Sequence, residues 1–276
     1  MATRAGRQRD PRDYGYPHDD RAALAARARL VTERLVARYG HARFSEKDPL
    51  SMLVDILLSH RTRNEQTYAG YKALLARFGD WAGVRDAPTE EVEAAIAMVN
   101  WPELKAPRLQ AILRQITAEC GELSLDFLCD LSVEAGSAWL GRLAGVGPKT
   151  IACVLLFTCR KPILPVDTHV HRVSIRLGLI GAKVTAEAAH TLLGALLPDD
   201  PQVIYDFHRA LLKHGQNPCV YGVPRCGQCP LQDLCDYYAA RHRPPAPRVV
   251  AADDDARRIG YHPCSRTACL NGERHG

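Results

Sequence analysis

The chain has no apolar run of the roughly 18 residues that a membrane-spanning helix needs. Residues 1–20, where Asp10 and Asp13 stand among arginines, have no apolar stretch to act as a secretory leader. No membrane association is expected, and a cytoplasmic location, nucleoid-associated in a bacterium, is the default. Segments that alternate apolar and polar residues are missing too, which argues against a β-rich fold. No internal repeat suggests a solenoid. Charge of one sign is also scarce. The net value is +5 over 276 residues; residues 1–20 carry four arginines and four aspartates, and residues 241–276 carry seven arginines against four acids. Little positive charge is left for the middle of the chain, so a basic face for a polyanion must come from the arrangement of charges.

What is present is helical periodicity. At 46% hydrophobic the chain can bury one large core or two smaller ones. An amphipathic helix is expected at 21–39, stopped by Gly40. Asp48-Pro49 is a cap and first-turn pair opening "LSMLVDILLSH". Asn64 is a candidate cap for a helix running to Phe78, and Thr89 with Glu90 and Glu91 for another. Further helices are expected at about 105–120, 132–142, 148–159, 168–177, 185–197 and 201–214. The fold class is all-α, with termini at 1–20 and 241–276 that lack apolar periodicity and are expected to be mobile.

"LAGVGPKT" predicts a helix ending at Leu143, a tight Gly145-Val146-Gly147 hairpin, and a second helix entered through Pro148. Its exposed amides suit a phosphate. Lys149 falls in the first turn of that second helix. The helix dipole disfavours an ammonium there, but by only about one pKa unit. Lys149 is therefore either an amine that burial makes nucleophilic or a solvated phosphate-binding cation. Eighteen residues on, in "PVDTHVHRV", Asp167 is an N-cap candidate. A carboxylate held at a helix start is also placed to stabilise a developing sugar cation.

Ten cysteines are many for a reducing compartment. Cys120, Cys129, Cys153 and Cys159 stand alone; Cys153 and Cys159, in an apolar helix, read as small buried hydrophobes. Cys219, Cys226, Cys229 and Cys235 follow C-x6-C-x2-C-x5-C, a metal-site spacing. Zinc is the first guess from ligand chemistry, although four thiolates suit iron and sulfur equally. His169, His171, His208 and His214 lack ligand spacing and read as packing residues, and His262, Cys264, Cys269 and His275 match no compact zinc signature.

Together, "LAGVGPKT", "VDTHVHRV", the eighteen-residue gap and the cysteine spacing resemble the endonuclease III family of helix-hairpin-helix DNA glycosylases, over residues 30–238. The resemblance favours a [4Fe-4S] cluster over zinc. It implies a six-helix domain of about 41–165 and a second domain built from 21–40 and 166–240, with a cleft between them that takes a base flipped out of double-stranded DNA. It implies a monomer that acts on a damaged base, foremost an oxidised pyrimidine, or on an abasic site. Lys149 would attack the sugar, expel the base, form an imine and nick the strand by β-elimination, with Asp167 stabilising the charged sugar. Gly145, Val146, Gly147 and Thr150 would hold DNA through the hairpin. The chain departs from the family at Arg61, where the gap-filling glutamine is expected, and at Trp101, where a leucine wedge is expected. Arg225 is the one basic residue of the first cluster loop, and Ala144 and Pro148 replace the hairpin's usual proline and arginine. Two other readings stay open: an abasic-site lyase or glycosylase of altered specificity, and a non-catalytic module that binds damaged or branched DNA.

Overall fold

The computed structural model describes residues 15–18 and 20–242. The tail residues His262, Cys264, Cys269 and His275, and the expectations for 1–14 and 243–276, lie outside the described residues. Among the described residues every regular element is a helix, as the periodicity required.

The helices are α1 (Arg21–Tyr39), α2 (Pro49–Ser59), α3 (Asn64–Phe78), α4 (Trp81–Asp86), α5 (Thr89–Ala95), α6 (Pro102–Cys120), α7 (Val133–Leu140), α8 (Pro148–Phe157), α9 (Thr168–Arg176), α10 (Ala186–Gly194), α11 (Pro201–Gln216) and α12 (Asp236–His242). Asp48 caps α2 as expected, its carboxylate accepting from the Ser51 amide at 2.8 Å. Two other caps differ. Asn64 is the first residue of α3 and Arg63 the capping position, with no side-chain bond. Thr89 likewise lies inside α5, and its hydroxyl donates to Gln110 at 2.7 Å rather than accepting from a free amide. Helix α4 was not expected: six residues are too few to show a period, although Asp80 accepts from the Gly83 amide and supplies a cap.

Two hydrophobic cores organise these helices. One gathers α2 to α8 around Leu53, Leu74, Leu113 and Leu155; the other gathers α1 and α9 to α11 around Leu35, Val170, Leu193 and Phe207. Helix α8 serves both. Leu155 belongs to the first core and Leu156 to the second, and Phe157 packs against each. A helix apolar on all sides, as "IACVLL" is, finds partners on all sides only where it runs between cores. Lys149 begins that central helix, so the chemistry expected of it falls where the two cores meet.

The lone-cysteine reading fails for two residues. Cys159 lies beyond the end of α8 and forms a disulfide with Cys129, whereas Cys153 is a buried free thiol as expected. Thirty residues separate the pair, too far for any sequence spacing to announce it.

Candidate active site

The hairpin forms as its glycines require. Gly145 takes φ +80°, in the left-handed region, and a Cβ there would come within 3.1 Å of the Arg108 side chain. Val146 is buried and its amide donates to the Leu143 carbonyl at 3.1 Å. Gly147 has an ordinary φ and open space around it. Pro148 occupies the first turn, so it gives up an amide that has no intrahelical partner. Thr150 turns its side chain inward. It is buried, with Oγ1 3.2 Å from His60 Nε2, so its hydroxyl faces the protein interior and only its backbone is available to a phosphate.

Lys149 is half-buried and lines a cleft of about 350 Å3 where the cores meet. Asp167 lines the same cleft. Oδ1 of Asp167 caps α9, accepting from the His169 and Val170 amides at 2.8 Å each. Two opposite charges, each at a helix start, thus share a cavity. The rest of the wall follows helical spacing: Met52, Asp55, Ile56 and Ser59 of α2, Lys149, Cys153 and Phe157 of α8, and His208, Arg209 and Leu212 of α11.

Near Lys149, the Cys153 thiol and the imidazoles of His60 and His208 are shifted by burial toward their neutral forms. Burial pushes the Cys153 thiol up to about 11, against the opposing pull of the Lys149 charge, so it stays protonated near neutral pH. Burial, then the charges of Lys149, Lys105 and Arg108, hold His60 down to about 4. Burial also lowers His208 to about 4, against the Asp167 charge. His208 Nδ1 lies 2.9 Å from the Pro165 carbonyl, which can only accept, so Nδ1 carries the hydrogen and neutral Nε2 keeps its lone pair. His208 packs, as its spacing suggested, but it packs into the cleft wall. Neither it nor Asp55 was among the expected site residues.

A second recess, of about 520 Å3, is lined by His60, Arg61, Trp101, Leu104, Lys105 and Arg108. Arg61 and Trp101 are brought together, the guanidinium carbon 5.7 Å from the indole centroid. Both take positive φ, 52° and 55°, a strained conformation for side-chain-bearing residues. The strain is held by local bonds. The Asn100 side chain donates to the Arg61 carbonyl, and Lys105 Nζ donates to the carbonyls of Leu58 and His60 and to Thr62 Oγ1 at 2.6 to 2.9 Å. Trp101 is 44% exposed, so it is not a core residue.

Cys219, Cys226, Cys229 and Cys235 are free thiols that line one pocket, far along the chain from the hairpin. Burial, with the charges of the other three cysteines acting in the same direction, raises Cys229 to about 11, so a set of thiolates here requires a cation to hold it. Arg176 donates to Cys219 Sγ at 3.2 Å and the Leu231 amide to Cys229 Sγ at 3.4 Å. Among the described residues no three His, Cys, Asp or Glu side chains close on one point as a single ion requires. Arg225 is exposed beside this pocket, 3.3 Å from Asn217 Oδ1. Its neighbours Tyr221 and Val223 are more than 80% exposed, so the loop tip is apolar rather than basic.

Comparison with known proteins is consistent with this geometry. Residues 54–199 match the family described as HhH-GPD superfamily base excision DNA repair protein. A putative DNA glycosylase of Arabidopsis thaliana is 33% identical over 171 residues, 62% of this chain and 58% of that protein. The chain thus spans little more than half of the plant relative's length. Endonuclease III of Thermotoga maritima is 32% identical over 196 residues, 71% of this chain and 86% of the relative. The solved structure of a trapped endonuclease III–DNA covalent intermediate shares the fold, with a TM-score of 0.66 at 24% identity, covering 79% of this chain and 99% of that one.

Proposed function

The chain belongs to the HhH-GPD superfamily of base excision DNA repair proteins, and from that premise we propose that it is a bifunctional DNA glycosylase and abasic-site lyase acting on oxidised pyrimidines in double-stranded DNA. The observation that carries this reading is the shared cleft of Lys149 and Asp167. A monofunctional enzyme needs only an activated water, whereas an amine on the cavity wall offers a nucleophile that stays attached. In this reading the Lys149 amine, relieved of its proton, attacks C1′ of the extruded nucleotide as the glycosidic bond breaks. The base leaves with that bond's electron pair and takes up a proton. The ring oxygen then leaves C1′ with its bond's electron pair and takes up the nitrogen's remaining proton as a hydroxyl, giving an imine. Loss of a C2′ proton expels the 3′ phosphate and restores a neutral conjugated imine, which water hydrolyses to free the lysine. Asp167, with Oδ1 committed to α9, has Oδ2 to set against the positive charge that develops on the sugar. The hairpin amides around Gly147 hold the adjoining phosphate. Arg61 and Trp101 fill the place the nucleotide vacates.

Borohydride trapping tests this. The wild-type chain with an abasic or thymine glycol duplex is expected to give a covalent complex on reduction, and Lys149→Ala none. A wild-type chain that binds the duplex but never traps would leave only a binding module.

The same proposal assigns the four cysteines to a [4Fe-4S] cluster. Four free thiols that surround a pocket, rather than a point, suit a cluster's spread-out iron atoms. When bound, it would supply the cationic core that these thiolates need and fix the loop before α12. Protein purified without oxygen is expected to be brown and to contain iron; a colourless chain carrying zinc would refute the assignment.

A further inference from the structure

Helix α2 is apolar and buried along nearly its whole length, with Leu50, Met52, Leu53, Val54, Ile56, Leu57 and Leu58 all in the core, yet it carries one charge, Asp55. Asp55 does not serve that packing. It stands on the stripe Met52, Asp55, Ile56, Ser59 that faces the cleft, among the residues lining it with Lys149 and Asp167. Oδ2 accepts from Lys47 Nζ at 2.7 Å, and Lys47 is itself held over the Tyr71 ring at 4.0 Å. Oδ1 has no hydrogen-bond partner among the described residues. The pair is about 70% buried on both sides, 32% and 28% exposed, so the carboxylate is anchored rather than swinging in solvent.

A half-buried carboxylate with one satisfied and one bare oxygen is an acceptor waiting for a donor. The Lys47 clamp keeps it pointed, and an oxygen that only accepts disfavours any group that presents only lone pairs. We infer that Asp55 is a specificity-determining residue that reads the extruded base, accepting a hydrogen bond from a pyrimidine N3–H or from an exocyclic amino group on the same edge. This rests on the glycosylase reading above and adds to it the chemical edge on which bases are chosen. Asp167 and Lys149 face the sugar in that reading, and Asp55, on a different helix, faces what the sugar carries.

Hydrogen-bond readout by a committed buried group discriminates strongly, because the wrong partner leaves that group unpaired. The test uses single-turnover excision of 5,6-dihydrouracil and of its N3-methyl derivative, in otherwise identical duplexes, with an abasic duplex as reference. Wild type is expected to excise the N–H base at least roughly 100-fold faster than the methylated one. In Asp55→Asn that ratio is expected to fall below about 10, since a rotated amide, unlike a carboxylate, can donate to a ring carbonyl beside the methyl group, and the loss on the N–H base is expected to exceed any loss on the abasic duplex. Lys47→Gln, which leaves the carboxylate but not its clamp, should give an intermediate ratio. A wild-type chain that cleaves the abasic duplex but excises both bases alike, or neither, overturns the inference while leaving the lyase reading intact. So does an Asp55→Asn chain whose ratio matches wild type. A wild-type chain inert on all three duplexes refutes the function itself.

Discussion

Asp167 and His208 lie on neighbouring helices and approach the same cleft with different tasks for their polar atoms. Asp167 spends one oxygen on the α9 amides, and His208 spends Nδ1 on the Pro165 carbonyl. His208 has a consequence for stability. In an unfolded chain imidazole titrates near 6.5; folded, burial holds His208 near 4. Above pH 6.5 both states are neutral and the folded state's stability is fully present. As pH falls from 6.5 through 4 the unfolded chain takes up a proton that the folded chain refuses, so stability is lost, by about 2 kcal/mol at pH 5 for this residue alone. His60, also near 4, acts in the same direction. His208 alone is expected to contribute roughly 4 to 8 °C to the fall in Tm between pH 7 and pH 5, so the fall is smaller by about that much in His208→Gln. Equal drops in the two proteins would mean that another group carries the acid sensitivity.

At the scale of elements, the hairpin between α7 and α8 shows two glycines with unequal duties. Gly145 needs its missing Cβ twice over, for φ +80° and for the 3.1 Å approach of Arg108. Gly147 needs it for neither, having an ordinary φ and nothing within 4 Å. Gly145→Ala is therefore expected to cost about 1 kcal/mol or more of stability, and Gly147→Ala close to none. In the proposed function Gly147 lies against a phosphate, so Gly147→Ala should still weaken duplex binding in a fluorescence titration. If the two variants melt alike, the hairpin is not held as described. Residues 143–150 were legible in the sequence because glycine, proline and lysine each have a local reason for their place. Asp167 was legible for the same reason, since a cap is a local device. The inward turn of the Thr150 hydroxyl was not legible, because its partner, His60, lies 90 positions away. Asp55 carried a visible signal, a lone charge in an apolar helix, but which face of α2 meets a cleft is decided by packing against α3, α6 and α8. His208 carried no signal at all.

At the scale of the whole molecule, two cores share α8; a disulfide lies against the first and a quartet of free cysteines against the second. The first core includes Cys159, joined to Cys129 by the disulfide; the second packs against Cys219, Cys229 and Cys235 of the quartet. The all-α class and most helix boundaries followed from apolar period, and the quartet from its spacing. The disulfide followed from neither, because only the folded first core brings residues 30 apart together. Closing a loop of that length stabilises by roughly 3 to 4 kcal/mol in the chain-entropy account, less any strain. With the proposed cluster bound in the quartet, the two cores would each be cross-linked, and cross-links confined to separate cores should fail separately. In hydrogen exchange, Cys129→Ala is expected to lower protection in α2, α6 and α7 while α1 and α11 keep theirs; Cys226→Ser is expected to do the reverse, loosening α9, α11 and α12. Lys149 starts the helix that both cores hold and Asp167 starts the second core's α9, so either variant should reduce borohydride trapping even though neither touches the cleft. Protection lost uniformly over both cores in each variant would show instead that the 20–241 region opens as one cooperative unit and that the cleft cannot be loosened from one side.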